Sequence, residues 1–118
     1  ADARAIIDET KARMSAITDE YGTDPNDPTP YYEHLINKMH VHMVNAVDFF
    51  AQSQMIEFHE EMQMATEIED ESVKKWTVDS HTMLFLSAHE LYGYLLLNQG
   101  DNNLALKHFI ASDSTEGP

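Results

Sequence analysis

The sequence predicts an all-α fold, a four-helix bundle-like single domain, from three observations. Apolar residues recur at three-and-four spacing over most of the chain, the mark of helices with one buried face. Glycine and proline gather at a few points, Gly22, Pro25-to-Pro30 and Gly100, which divide the chain into helix-length pieces. The length of 118 residues is that of one domain.

In the first helix, over 1–22, Ala3, Ile7, Met14, Ile17 and Tyr21 form a narrow seam completed by Thr10. Asp8, Glu9, Lys11 and Arg13 lie between them. Gly22 ends it, and 23–29 forms a linker of fixed shape. Each proline there lacks an amide hydrogen and pushes its predecessor out of the α region. Thr29 followed by Pro30 starts a second helix over 30–67, whose stripe is Tyr32, Leu35, Met39, Met43, Ala46 and Phe50. Unbroken, it would be roughly 55 Å long, so a break is expected at Gln52-Ser53-Gln54, where the stripe changes phase.

The acidic run Glu67-Ile68-Glu69-Asp70-Glu71-Ser72 reads as a solvated turn that caps a third helix over 72–98. Trp76, Met83, Leu84, Phe85, Leu86, Leu91, Tyr92, Leu95, Leu96 and Leu97 cover most of that helix's circumference, so neighbours or a partner must bury it. Gly100 closes it, Asp101 caps a fourth helix over 101–111 with Leu104, Ala105 and Phe109 inside, and 112–118 is a loose tail.

Charge narrows the function. Seven Lys and Arg stand against 21 Asp and Glu, a formal net charge of −14. Nucleic-acid binding needs Lys and Arg on phosphates, and anionic membranes attract basic segments, so neither partner suits this chain. A basic protein, cations or a saline medium do. With no cysteine, disulfides and thiolate sites are excluded. The most apolar stretch, 83–97, is interrupted by His89, Glu90 and Gly93 and falls short of the ~20 residues that span a bilayer. An opening of Ala1-Asp2-Ala3 without Met suits a mature form left after export, which gives an extracytoplasmic expectation.

Within His89 to Ser112, Gly93 takes a small-residue position, Gln99-Gly100-Asp101 forms a turn, Ala105 is small and Phe109 is aromatic. This segment, about a fifth of the chain, resembles a single tetratricopeptide repeat unit. The resemblance implies a repeat-like C-terminal helical hairpin, packed closely through its small residues, and a protein-binding role.

Seven His and seven Met form clusters at Met39-His40-Val41-His42-Met43 and His59-Glu60-Glu61-Met62-Gln63-Met64. Met55, His59 and Met62 share one helix face. Imidazole with thioether suits copper, and imidazole with carboxylate suits zinc, iron or nickel. A chain reversal near Glu69 would bring His59 beside His81, with Glu60 or Asp79 as a third ligand. His40 and His42 complete the candidate metal-ligating set. A di-iron bundle motif and HExxH are both missing. Histidine and methionine as axial haem ligands form a more distant reading.

Catalysis has no support in the sequence. The four glycines build no phosphate loop or dinucleotide fingerprint, and Asp79-Ser80-His81 on one helix point in different directions. The expectation is therefore a non-enzymatic protein-interaction module or small subunit, or a self-associating chain, with Tyr31, Tyr32, Tyr92 and Tyr94 on the contact face. A His/Met-rich metal-binding or metal-buffering protein is the alternative.

Overall fold

In the computed structural model the described residues are 2–20, 24, 26, 28–79 and 87–115. They form five α-helices and no strand: α1 (Asp2–Glu20), α2 (Pro28–Ala51), α3 (Met55–Asp79), α4 (Ala88–Asn98) and α5 (Asn102–Thr115). The all-helical, bundle-like architecture matches the expectation, with one more helix than expected.

Pro28 and Pro30 both fall in the first turn of α2, where amide hydrogens have no intrahelical partner to lose. At the other end the expected break is present. Gln54 N–H donates to the Phe49 carbonyl (2.9 Å) and Ser53 N–H to the Phe50 carbonyl (3.0 Å), while Ser53 adopts φ 61°. This six-to-one and five-to-two pair with a left-handed residue is a Schellman cap. The same pair recurs after α4, where Asp101 N–H meets Leu96 and Gly100 N–H meets Leu97, with Gly100 at φ 87°. Asp101 then caps α5 as expected, its carboxylate accepting from Leu104 N–H.

The acidic run is not a turn. α3 continues through 67–72, because Phe58, Met62, Ala65, Glu69 and Ser72 keep three-and-four spacing and all lie on the buried face. The third expected helix, 72–98, is divided instead: α3 ends at Asp79 and α4 begins at Ala88, with 80–86 outside the described residues. α5 runs on to Thr115, and its Ser112 is buried, so the expected loose tail is helical to that point.

Helices α2 and α3 pair antiparallel around their short turn. Their rungs are Phe50 against Phe58 (ring centroids 5.1 Å apart) and His42 against Glu61. The second hairpin, α4–α5, lies on α3 and meets α2. The core joins Ile36, Met39, Met43 and Ala46 of α2 with Phe58, Met62 and Ala65 of α3, Ala88, Tyr92 and Leu96 of α4, and Ala105 of α5. No described α1 residue belongs to it. That helix rests on α2 through Lys11, whose Nζ lies 2.9 Å from Asp48 Oδ2 and 6.0 Å from the Phe49 ring centroid. The molecule measures 40 × 34 × 19 Å, about two helices thick.

Candidate functional site

Two places concentrate chemistry. One is the polar junction that seats the α4–α5 hairpin on α3. The other is an open groove between α1, α2 and α4.

The junction begins at the first turn of α4. Ser87 caps it, its hydroxyl accepting from Glu90 N–H (3.2 Å), and Ser87-Ala88-His89-Glu90 has the capping-box spacing. Glu69 of α3 is fully buried against this turn. Its Oε1 accepts from Ala88 N–H (2.5 Å) and His89 N–H (3.1 Å), and its Oε2 from the Ser87 hydroxyl (2.8 Å). A helix start offers unpaired donors and partial positive charge, so a carboxylate is stable there away from water.

A chain of rings continues from the cap. His89 Nε2 lies 2.6 Å from Asp70 Oδ1, and His89 Nδ1 lies 2.9 Å from His108 Nδ1 on α5. The His108 ring sits 4.4 Å from that of Tyr92, whose hydroxyl is 2.5 Å from His59 Nδ1 on α3. Burial pushes His108 below the usual histidine range, helped by His89 and Lys107 and opposed by Asp70. Burial, and secondarily Asp101, raises the Tyr92 hydroxyl above its usual value. Farther along, Gln99 Nε2 donates to Met55 Sδ at 2.6 Å. Glu69–Ala88, His59–Tyr92 and Met55–Gln99 are thus successive rungs of an antiparallel α3–α4 pair.

The groove is a different environment. An open cavity of about 430 Å³ is lined by Ile7 and Met14 of α1, His40, Met43, Val44, Val47 and Asp48 of α2, and Leu91 of α4. Its lining is apolar apart from His40 and the buried Asp48. Among the described residues α1 packs on α2 and on no other helix, which leaves a gap to α4. Ile6 and Val47 are exposed on the same two helices. A second apolar surface runs along the outer side of the C-terminal hairpin. There Tyr94, Leu97, Leu106 and Ile110 are exposed, and the Tyr94 ring meets Phe109 edge-on at 5.0 Å.

The candidate metal ligands are scattered among these environments. His59 bonds Tyr92, Glu60 is solvent-exposed, His42 bonds Glu61, which also accepts from Asn45 Nδ2, and His40 lines the groove. His81 and the side chain of Asp79 lie outside the described residues. The reversal assumed at Glu69, which was to set His81 beside His59, does not occur, because α3 runs straight through it. Among the described residues no three His, Cys, Asp or Glu side chains form a group able to hold a metal ion. Also among them, no helix is long and apolar enough to cross a membrane.

The chain matches no protein-family model, no curated protein and no solved structure.

Of the tyrosines expected on a contact face, Tyr94 is 58% exposed. Tyr31 is half-buried against the core and stacks on His34, and the Tyr32 side chain lies outside the described residues. Tyr92 is a correction: at 3% exposure it is core, because its hydroxyl finds His59 inside. Glu69, Ser87 and His108 were missed as a group. The capping-box spacing at Ser87 was the available signal for where α4 starts.

Proposed function

We propose that this chain is a non-enzymatic protein-interaction module whose groove between α1, α2 and α4 receives apolar side chains of a basic partner segment. The open apolar cavity carries this reading. Its volume lies within the ~300–1,000 Å³ typical of ligand pockets, and side chains of three helices line it. The net charge of −14 selects a partner rich in Lys and Arg, since complementary charge steers encounter and rejects acidic competitors. The tetratricopeptide-like spacing of Gly93, Gly100, Ala105 and Phe109 supports the same class of function. The metal-buffering alternative lacks comparable support, since His42 and His59 each spend a ring nitrogen on a protein partner.

The test uses a designed amphipathic Lys/Leu helical peptide and its Glu/Leu counterpart, titrated into the full chain by fluorescence anisotropy. The basic peptide is expected to bind saturably and the acidic one not at all. Val47→Asn, in the groove, should weaken binding about tenfold, the loss expected when one apolar anchor of about 1.4 kcal/mol is removed. Leu106→Asn, on the far hairpin, should leave it unchanged. Binding unchanged by Val47→Asn would show that the peptide follows bulk charge, which neither variant alters, and equal weakening by both would show no preference for the groove; either result refutes it.

A further inference from the structure

We propose that the His89–His108 pair is an acid-sensitive latch that holds α5 against the first turn of α4 and thereby regulates the groove. The inference rests on the groove reading for its consequence, but the latch itself stands on separate geometry.

The hydrogen bonds fix the proton positions. A carboxylate only accepts, so His89 Nε2 carries a proton toward Asp70 Oδ1. In neutral His89 the other nitrogen, Nδ1, is then a bare acceptor, and the proton between the two rings belongs to His108 Nδ1. A first added proton is accommodated. With one proton added to the pair, one ring donates from Nδ1 while the other carries its proton on Nε2 and accepts. A second added proton has no such solution. Both Nδ1 atoms then carry hydrogen at a separation of 2.9 Å, so the bond is lost and two cations face one another.

The surroundings offer little to absorb that charge. From α3 the pair meets Asp70, which already bonds His89 and is 62% exposed at its side chain, and Glu69, whose oxygens are occupied by Ser87, Ala88 and His89 donors. Tyr92 of α4 packs on His108 and bonds His59 of α3. On α5, Lys107 adds positive charge beside His108, and Asp101 acts on Tyr92 rather than on the pair. Separation of His89 from His108 therefore removes the brace that α5 gives to the first turn of α4, leaving Glu69 and Asp70 of α3 to hold it alone. Leu91, two residues along the same helix, is the only α4 side chain in the groove lining. Acidification removes that wall and weakens partner binding.

The experiment follows amide hydrogen exchange of residues 88–91 by NMR in the full chain, at about pH 7.5 and about pH 5, across the histidine range. Rates are corrected for the intrinsic pH dependence of exchange, and far-UV circular dichroism checks the fold. In the wild type, protection at the lower pH should fall about tenfold, one decade in the opening equilibrium. His108→Gln, whose amide can donate to or accept from His89 without titrating, should hold protection constant. Asp70→Asn, which removes the charge that favours imidazolium, should move the onset to lower pH. Unchanged wild-type protection, or the same loss in His108→Gln, overturns the latch.

The Lys/Leu peptide separates the two readings. Its affinity should fall over the same window in the wild type and stay level in His108→Gln. A peptide that fails to bind at about pH 7.5 refutes the groove, while the exchange data still judge the latch. Lost protection with unchanged affinity overturns the link between them.

Discussion

Glu69 and Ala88 lie 19 positions apart in sequence and meet at the first turn of α4, where the Glu69 carboxylate accepts the Ala88 amide hydrogen at 2.5 Å. The same carboxylate takes the His89 amide and the Ser87 hydroxyl, so one fully buried acid satisfies three donors. Glu69→Ala should lower stability by about 2–4 kcal/mol, the cost of buried donors left without an acceptor together with a cavity. Urea unfolding measures it. Glu69→Gln, which keeps one acceptor oxygen, should lose less, and equal losses would mean that the charge contributes everything.

Gly93 makes room for Phe109. A Cβ at position 93 would stand 2.7 Å from Phe109 Cε1, and the ring is already engaged by Tyr94. Gly93→Ala should therefore destabilise by about 1–2 kcal/mol net, overpacking outweighing the gain in helix propensity. Combining it with Phe109→Leu should cost less than the sum of the single changes in a thermal double-mutant cycle. Strict additivity would show that the two residues do not press on each other.

The two Schellman caps make opposite predictions. Ser53 adopts φ 61° and Gly100 φ 87°, a region where a Cβ is penalised. Ser53→Gly should stabilise by about 0.5–1 kcal/mol, by removing that strain. Gly100→Ala should destabilise by about 1–2 kcal/mol, purely through the backbone, since nothing lies within 4 Å of an added Cβ. Melting temperatures of the two variants moving in the same direction would sink this account.

Stability should decline on both sides of neutrality, through different residues. His108 binds its proton less readily in the folded chain than in the unfolded one. On acidification the unfolded form protonates first, so the contribution present above about pH 6.5 is lost as pH falls through the folded value. Tyr92 holds its proton more tightly when folded. Its contribution, present below about pH 10, is lost as pH rises through the folded value. Denaturation midpoints should rise with pH on the acid side in the wild type and flatten in His108→Gln. Tyr92→Phe should remove part of the alkaline decline, though it also breaks the bond to His59.

The sequence by itself determined the helical class, the break at 52–54, the caps at Gly100 and Asp101, and the apolar stripe from Met39 through Ala46. These are local matters: spacing of 3.6, missing amide hydrogens, and side chains that cap their own turn. Only the tertiary structure decided that Glu67 to Ser72 is helix. Three-and-four spacing places Glu69 on the core face beside Phe58 and Met62, but an isolated sequence gives no reason to bury an acid. The reason is the start of α4, which brings its unpaired donors to that point and replaces the water the carboxylate loses. Tyr92 and His59 follow the same rule, as did the groove, which lies where α1, among the described residues, reaches α2 and stops short of α4. A polar group's place depends on what the rest of the chain brings to meet it, and that is a property of the packed whole.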